Sequence, residues 1–257
     1  MKRFSFKLTV KTALLATIAA SIAPFPAAAL DPEDKPAIEQ IVRDYLLTNP
    51  ELILEVQQAL QVKQEAEAKE RATVALNQNK ETIFKSKNQG IIGNVKGDVT
   101  VVEFFDYNCG FCQRAMNDMN VLLQGDSNLK FVMKELPILS PGSVEASRIS
   151  TAVYRLYPQQ YERFHNDLLG LDGPKDGARA LEIAGLMGFD MGKLEDEAAK
   201  NDVLDAFREA NDLATSLGMN GTPSYVIGDE VIFGALGVDV LRAKIENVRK
   251  CGKTVCS

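Results

Sequence analysis

Residues 102–115 read VEFFDYNCGFCQRA and place two cysteines, separated by two residues, between an apolar segment and a helical one. Residues 99–105 (VTVVEFF) are rich in β-branched and aromatic side chains, which predicts a strand buried on both faces. Residues 111–123 favour a helix, and residues 129–134 (LKFVMK) favour another strand. Strand, Cys-x-x-Cys, helix and strand in this order predict a βαβ unit.

The chain after this unit is mostly helical. Residues 144–217 have helical periodicity with breaks at glycines. Residues 224–227 and 231–233 have the pattern of two short strands turned at Gly228-Asp229, which predicts an antiparallel hairpin. An amphipathic helix over residues 238–250 follows. A helical block therefore separates the βαβ unit from the hairpin.

Residues 1–29 have the pattern of a secretory signal peptide. Basic residues come first, at Lys2, Arg3, Lys7 and Lys11. Residues 13–23 form an apolar run too short to span a bilayer, and residues 27–29 (AAA) supply the small side chains that precede a cleavage site. An uncleaved membrane anchor is the alternative. We expect export to a bacterial periplasm, an oxidising compartment in which cysteines pair unless they are kept reduced.

Residues 30–88 form a glycine-free segment with helical periodicity. Its apolar side chains recur on one helical face: Ile38, Ile41, Val42, Tyr45, Leu46, Ile53, Val56 and Leu60. Asn49 and Pro50 break the pattern, and residues 61–71 (QVKQEAEAKER) favour helix but have no apolar face. Because this segment is too small to bury its stripe by itself, we expect self-association through it. Docking onto the chain's own second domain is the alternative.

Composition excludes several classes of function. With 29 Lys plus Arg against 35 Asp plus Glu, the formal net charge is −6, which is not typical of a nucleic-acid-binding protein. The single histidine, His165, excludes multi-histidine metal sites and argues against Ser-His-Asp catalysis. We expect His165 to be a satisfied or exposed residue of a helix.

The two cysteines at the strand-to-helix junction predict redox chemistry. Cys109 lies at the helix N-terminus, where unpaired N–H groups and the helix dipole stabilise a thiolate. We therefore expect Cys109 to be exposed and to attack, and Cys112 to be more buried and to resolve the mixed disulfide. A structural zinc site, an inert disulfide and a soft Cu(I) site are the alternatives. No metal or cofactor is expected, because the disulfide itself carries the electrons.

The sequences VEFFDYNCGFCQRA and GTPSYVIG, with the helical block between them, resemble the DsbA-like branch of the thioredoxin family over residues 89–250. The resemblance implies an α/β thioredoxin fold in residues 89–257, with a helical insertion at about 140–218, preceded by the N-terminal α-helical oligomerisation segment. It also implies a cis peptide before Pro223, beside the cysteines, where the Thr222 backbone binds an incoming peptide. An ordinary turn is the alternative at this Thr-Pro.

The positions of Glu103 and Lys134 resemble a buried acid–base pair that lies beneath the disulfide of DsbA-like proteins and handles protons during exchange. Both side chains are costly to bury alone. The resemblance therefore implies that Glu103 and Lys134 assist catalysis by Cys109 and Cys112. A salt bridge at the strand ends, on the surface, is the alternative.

The dipeptide Gly110-Phe111 lies between the cysteines, where strongly oxidising relatives carry a histidine. The absence of this histidine removes a donor near the sulfur, so we expect a less oxidising couple. Gly followed by an aromatic residue, with Thr before the cis proline, resembles isomerase and reductase members. Gly110, Phe111, Thr222 and Pro223 are therefore expected to contact the client protein.

Residues 41–55 (IVRDYLLTNPELILE) resemble the oligomerisation region of ScsC-type proteins, the suppressor-of-copper-sensitivity group, some of which form trimers. The resemblance implies a homo-oligomer, with a trimer favoured, whose active sites face one misfolded client. The implied partners are misfolded or disulfide-containing secreted proteins and a membrane thiol reductase of the DsbD type, with no nucleic acid.

Two further groups of residues have open assignments. Cys251 and Cys256 follow the last helix, and we expect them to pair as a structural disulfide. A second redox or copper-binding pair is the alternative. Tyr107, Phe111 and Met219 either line an apolar rim around the site or belong to the core.

These features predict a periplasmic thiol–disulfide oxidoreductase that acts through Cys109 and Cys112, with isomerase or reductase activity favoured. A monomeric dithiol oxidase and a copper-binding protein that uses the same two cysteines are the competing hypotheses.

Overall fold

The computed structural model describes residues 34–256, so the predicted signal peptide at residues 1–29 lies outside the described residues. The helices are α1 (Lys35–Thr48), α2 (Glu51–Gln78), α3 (Lys80–Lys85), α4 (Gly110–Gly125), α5 (Pro141–Leu156), α6 (Tyr161–Leu169), α7 (Gly177–Leu186), α8 (Met191–Ala198), α9 (Asn201–Ser216) and α10 (Val238–Cys251). The strands are β1 (Gly90–Gly93), β2 (Val99–Phe105), β3 (Leu129–Glu135), β4 (Ser224–Ile227) and β5 (Glu230–Phe233). The chain divides into two compact units between Gln58 and Ala59. Among the described residues, no helix has the length and apolarity needed to cross a bilayer.

The first unit contains α1 and the beginning of α2. The helix break predicted at Asn49 and Pro50 is confirmed, and the Asn49 side-chain amide donates to the Tyr45 carbonyl at 2.8 Å. No side chain of residues 34–58 is buried. The large apolar side chains on both helices are exposed: Ile38, Ile41, Val42, Tyr45, Leu46, Leu47, Ile53, Leu54 and Val56. The apolar stripe that the sequence predicts is therefore present as an unburied surface.

The second unit, as far as it is described, is built around a five-stranded sheet with the strand order β1-β3-β2-β4-β5. Strands β2 and β3 are parallel and are joined by α4, which confirms the βαβ unit. Strands β4 and β5 pair antiparallel, which confirms the hairpin. The helices α5 to α9 lie between β3 and β4 in the sequence and form the expected helical insertion.

Strand β1 is not among the strands that the sequence predicts. Residues 90–93 pair antiparallel with β3 at one edge of the sheet. Gly90 is required there because a Cβ atom at this position would overlap the ring of Tyr161. Two glycines in four residues remove the side-chain pattern from which a strand is predicted.

The sheet separates two apolar clusters. The first packs α4 and parts of the helical insertion against the face that carries Phe105 and Met133. The second packs α9 against the face that carries Phe104 and Val132. It also buries three side chains from the end of α2 and from α3: Ala75, Leu76 and Ile83. The C-terminal part of the 30–88 segment thus contributes to the core of the second unit.

Lys134 lies on the side of the sheet opposite to Glu103. In the β2–β3 register Glu103 is paired with Met133, whereas Lys134 is paired with Phe104. Successive side chains of a strand alternate between its two faces. The expected pairing of Glu103 with Lys134 beneath the cysteines is therefore wrong. The sequence pattern identifies strands but leaves the register between them open, and the register decides which side chains share a face.

Lys134 anchors two helices to the sheet. Its Nζ donates to the Thr82 carbonyl of α3 at 2.8 Å and to the Glu209 carboxylate of α9 at 3.0 Å. The side chain is 1% exposed, and burial lowers the pKa of Lys134 while the hydrogen bond with Glu209 raises it. This buried ammonium group therefore has a structural role on the second cluster's side of the sheet.

We predict that Lys134→Met lowers the free energy of unfolding by about 2 kcal/mol, because the Thr82 carbonyl and the Glu209 carboxylate lose their donor. The matched control is Lys85→Met, which removes an exposed ion pair with Glu81 (2.9 Å). An exposed pair of this kind contributes at most about 0.5 kcal/mol. Urea denaturation of both variants measures the difference, and equal losses of stability would contradict an anchoring role for Lys134.

Candidate active site

The turn between β2 and α4 is fixed by the carboxylate of Asp106. This buried side chain accepts hydrogen bonds from the backbone N–H groups of Asn108 (2.7 Å), Ile138 (2.9 Å) and Leu139 (2.9 Å). The Asp106 carbonyl also accepts from the N–H of Cys109 at 3.0 Å. The sequence does not single out Asp106 as a site residue. The signal for it is its place directly after a buried strand, where a carboxylate must find hydrogen-bond donors. It joins the cysteine turn to the segment that follows β3.

The two cysteines of the motif are free thiols at the start of α4. Cys109 is the residue before the helix and is 7% exposed, whereas Cys112 lies in the first turn and is 0% exposed. The predicted order of burial is confirmed, but the expectation that Cys109 is exposed is wrong.

The peptide bond between Thr222 and Pro223 is cis, as the family resemblance implies. The Cys109 Sγ lies 3.1 Å from the Thr222 carbonyl oxygen and donates to it as a thiol. Cys109 also belongs to the first apolar cluster, and both surroundings contribute to its low exposure. The fold therefore brings Cys109, Thr222 and Pro223 together where α4 and β4 begin.

The two thiols have opposite acidities. The hydrogen bond from the Cys112 thiol is the main reason that the pKa of Cys109 falls to about 5, against burial, which raises it. The Thr222 side chain and the N–H groups of Cys112 and Phe111 also lower this pKa. Burial raises the pKa of Cys112, and the hydrogen bond to Cys109 and the charge of Glu103 raise it further. Near neutral pH the pair therefore holds a thiolate on Cys109 and a thiol on Cys112.

Glu103 lies on the same side of the sheet as the cysteines and is 1% exposed. Burial is the main reason that the pKa of Glu103 rises to about 8, and the charges of Asp118 and Cys109 raise it further. Within residues 34–256 its Oε2 has no hydrogen-bond partner, and neither has the hydroxyl of Tyr225, its register partner on β4. This burial excludes a surface salt bridge. At neutral pH Glu103 is mostly a neutral carboxyl group beside the cysteine pair.

The dipeptide between the cysteines leaves one side chain on the surface. Phe111 is 58% exposed, and the guanidinium carbon of Arg114 lies 4.2 Å from its ring centroid, which is a cation–π contact. A Cβ atom at Gly110 would meet no atom within 4 Å. The surface of this turn is therefore formed by Phe111, with open space at Gly110.

Tyr107, Met219 and His165 are core residues. Tyr107 and Met219 are buried in the two clusters on opposite faces of the sheet, so neither forms a rim around the cysteines. The Nδ1 of His165 lies 3.2 Å from the Tyr107 hydroxyl, which lies 2.7 Å from the Ser150 hydroxyl. Burial lowers the pKa of His165 to about 3, so this residue is neutral and satisfied in the core.

Cys251 and Cys256 are joined by a disulfide. The tail that it closes contacts the turn after β4, where the Thr254 N–H donates to the Asp229 carboxylate at 3.0 Å. Asp229 follows β4, whereas the cis proline precedes it. The tail disulfide and the reactive pair therefore lie at opposite ends of this strand.

Two known domain families match the chain. The DSBA-like thioredoxin domain matches residues 100–246, which include the Cys-x-x-Cys motif and the cis proline. The chain belongs to the DsbA-like thioredoxin family. As a DsbA-like protein it is a thiol–disulfide oxidoreductase that acts on disulfide-containing proteins. The copper resistance protein ScsC N-terminal domain matches residues 34–67, ahead of the DsbA-like domain.

The chain is also similar to individual proteins. The chain is similar to a thioredoxin-like oxidoreductase from Silicibacter pomeroyi DSS-3, with 37% identity, a TM-score of 0.64 and coverage of 67% of this chain and 99% of that one. It is similar to Proteus mirabilis ScsC in a compact conformation, with 25% identity, a TM-score of 0.65 and coverage of 84% of this chain and 99% of that one. Disulfide bond formation protein D from Bacillus subtilis is 26% identical over 177 residues, which are 64% of this chain and 78% of that protein.

We predict that iodoacetamide alkylates the reduced protein at Cys109, with a rate that rises through a midpoint near pH 5, because only the thiolate attacks and its pKa is about 5. Cys112 stays unmodified, because burial raises its pKa and covers its sulfur. Peptide mass spectrometry after alkylation from about pH 4 to about pH 9 locates the modified sulfur.

The control for this measurement is the double variant Cys251→Ser, Cys256→Ser, which removes the tail cysteines from the mass balance. Its alkylation profile should coincide with that of the wild type. A single midpoint near the ordinary cysteine value of 9.0 would contradict the low pKa of Cys109.

Proposed function

We propose that this oxidoreductase is a periplasmic protein disulfide isomerase and reductase. The observation that carries the proposal is the Cys109 sulfur 3.1 Å from the Thr222 carbonyl oxygen, with Gly110-Phe111 rather than a histidine between the cysteines. A pKa of about 5 keeps Cys109 ionised and able to attack at neutral pH. This value lies between about 3.5 and about 7, which accompany strongly oxidising and reducing Cys-x-x-Cys proteins respectively.

The exchange begins when the Cys109 thiolate attacks one sulfur of a client disulfide. A bond forms between the two sulfurs, the client disulfide breaks, and its other sulfur leaves as a thiolate. In isomerisation another client thiolate attacks the mixed disulfide and releases Cys109 as a thiolate, with no net gain or loss of electrons. In reduction Cys112, after losing its proton, attacks the Cys109 sulfur of the mixed disulfide instead. The bond between Cys109 and the client breaks and the client sulfur leaves as a thiolate, so two electrons have passed to the client and the pair becomes a disulfide.

Glu103 is the proposed proton acceptor for Cys112, which must lose its proton before it attacks. Both side chains are buried on the same side of the sheet, and the charge of Glu103 raises the pKa of Cys112. Because the pKa of Glu103 is about 8, the share of molecules with a carboxylate at this position grows as the pH rises towards 8. The resolving step should accelerate over the same range.

Thr222 and Pro223 are the proposed contact for the client backbone. The Thr222 carbonyl accepts from the Cys109 thiol at 3.1 Å. Once Cys109 is a thiolate this donor is gone, and the carbonyl can accept an N–H from an extended client segment. Phe111 and Gly110, on the surface of the same turn, complete the proposed contact.

The reductase direction needs a supply of electrons, because each reduction leaves the pair oxidised. We propose a membrane thiol reductase of the DsbD type as the donor. The signal-peptide pattern of residues 1–29 supports a periplasmic location, which suits a client pool of secreted disulfide proteins.

The N-terminal segment is proposed to assemble copies of the chain, with a trimer favoured. Its match to the ScsC N-terminal domain and its unburied apolar stripe support this assignment. Several linked active sites raise the effective concentration of thiolate around one misfolded client. Assembly would therefore serve isomerisation more than the oxidation of a single cysteine pair.

Copper binding is the competing function. Two adjacent thiols suit Cu(I), and the N-terminal match has the name of a copper resistance protein. In the described part of the chain no three His, Cys, Asp or Glu side chains come together as a metal site. Because both functions would use the same two cysteines, the experiment below measures copper retention as well as catalysis.

We predict that the reduced wild type restores activity to a fully oxidised, scrambled ribonuclease, and that Cys109→Ser abolishes this recovery because the attacking thiolate is lost. Cys112→Ser should retain part of the isomerisation but accumulate mixed disulfides, because resolution needs the second thiol. The variant Cys251→Ser, Cys256→Ser is the control and should match the wild type.

Two outcomes would overturn this proposal. Rapid oxidation of reduced ribonuclease by the oxidised protein, without recovery of the scrambled form, would identify a dithiol oxidase. Retention of one copper ion per chain after desalting, again without recovery of the scrambled form, would identify a copper-binding protein.

We also predict that Val42→Glu with Leu46→Glu converts an oligomer to a monomer, because two carboxylates then lie in the apolar stripe. The control is Gln40→Glu with Arg43→Gln, which changes the net charge of α1 equally but replaces no apolar residue of the stripe. Light scattering gives the mass, and recovery of scrambled ribonuclease should fall only in the stripe variant. A monomeric wild type would contradict the oligomeric part of the proposal.

A further inference from the structure

Two side-chain amides bracket the Cys-x-x-Cys motif and bind the same loop. Asn108 immediately precedes Cys109, and Gln113 immediately follows Cys112. Both amides bond to residues 170–175 of the connection between α6 and α7, which we call the clamped loop. The loop has no strand or helix pairing of its own. These side chains therefore help to hold it beside the motif, together with the backbone bonds of Gly170 and Leu171 to the end of α6.

Asn108 binds the C-terminal end of the clamped loop through both atoms of its amide. Its Oδ1 accepts from the Lys175 N–H at 2.7 Å, and its Nδ2 donates to the Lys175 carbonyl at 2.8 Å. The Nδ2 also donates to the Ser143 hydroxyl at 3.0 Å and lies 3.4 Å from the Ser140 hydroxyl. Since an amide side chain has two donor hydrogens and one acceptor oxygen, Asn108 is fully used in these contacts.

Gln113 binds the N-terminal end of the clamped loop. Its Nε2 donates to the Gly170 carbonyl at 3.1 Å and lies 3.5 Å from the Leu171 carbonyl. Leu171 packs against the first apolar cluster, whereas residues 172–174 are exposed. The loop is thus fixed at both ends and presents three residues to solvent next to the cysteine turn.

The chain contains a comparable amide that has no relation to the cysteines. Asn94 donates from Nδ2 to the Ser127 carbonyl at 3.0 Å and accepts from the Lys96 N–H at 2.9 Å. Ser127 follows the C-terminal end of α4, about 24 Å along a 16-residue helix from the end that carries the cysteines. Asn94 therefore controls for the general loss of an amide that stabilises a loop.

We propose that Asn108 and Gln113 are positioning residues for client recognition, because they hold the clamped loop beside the Cys109–Cys112 pair as a wall that contacts the protein client. The wall is additional to the Thr222–Pro223 contact. The inference rests on the proposed function, in which Cys109 attacks the disulfides of client proteins. A small disulfide reaches Cys109 without contacting the clamped loop. Loss of the amides should therefore affect the reaction with protein clients selectively.

The test compares a protein client with a small one. For Asn108→Ala and Gln113→Ala we expect KM for scrambled ribonuclease to rise roughly fivefold, the scale of one or two lost neutral hydrogen bonds, with kcat nearly unchanged. Reaction of the reduced variants with glutathione disulfide should change by less than about twofold, because the small disulfide does not reach the wall. Asn94→Ala should leave both reactions unchanged.

A second variant addresses the loop directly. Asp172→Ala with Pro174→Ala changes two exposed residues and keeps Gly173, whose positive φ of 76° needs glycine. We expect the same rise in KM for ribonuclease. Adding Asn108→Ala to this variant should give little further loss, because residues that act through one element are not additive.

The outcomes separate the inference from the function on which it rests. An unchanged KM for ribonuclease in both the Asn108→Ala and the loop variant would overturn the wall. Equal losses with ribonuclease and glutathione disulfide would show that the amides act on Cys109 itself and would also overturn it. Full activity of Cys109→Ser would instead overturn the proposed function.

Discussion

The buried carboxylate of Asp106 is the constraint on which the active-site geometry depends. A fully buried carboxylate is costly unless donors surround it, and three backbone N–H groups at 2.7 to 2.9 Å satisfy this one. Two of these donors belong to the segment after β3 and one to the cysteine turn. Asp106 therefore aligns the start of α4 with the end of the sheet, which sets where Cys109 meets Thr222.

From this turn the electrostatics of the site follow. The N–H groups at the start of α4 and the thiol of Cys112 stabilise a thiolate on Cys109, while burial keeps Cys112 protonated. Glu103 adds a carboxyl group whose pKa is raised on the same side of the sheet. The result is a pair in which attack and resolution are assigned to different sulfurs by their surroundings.

Much of this arrangement is predictable from the sequence, because it is local. The βαβ unit, the hairpin and the helix break at Asn49 and Pro50 follow from periodicity and turn residues, and the motif itself indicates the reactive pair. The missing parts are non-local. Strand β1 depends on Gly90 meeting the Tyr161 ring, and the face on which Lys134 lies depends on a strand register that periodicity does not contain.

The sheet lies between the redox site and a buried ammonium group. On one side the Cys109–Cys112 pair gains and loses electrons and protons during each cycle. On the other side the Lys134 ammonium group holds α3 and α9 through hydrogen bonds that do not involve any group of the redox site. Because Lys134 bonds, among the described residues, only to Thr82 and Glu209 on the far side of β2 and β3, the exchange of electrons and protons at the thiols breaks neither of the bonds that attach α3 and α9.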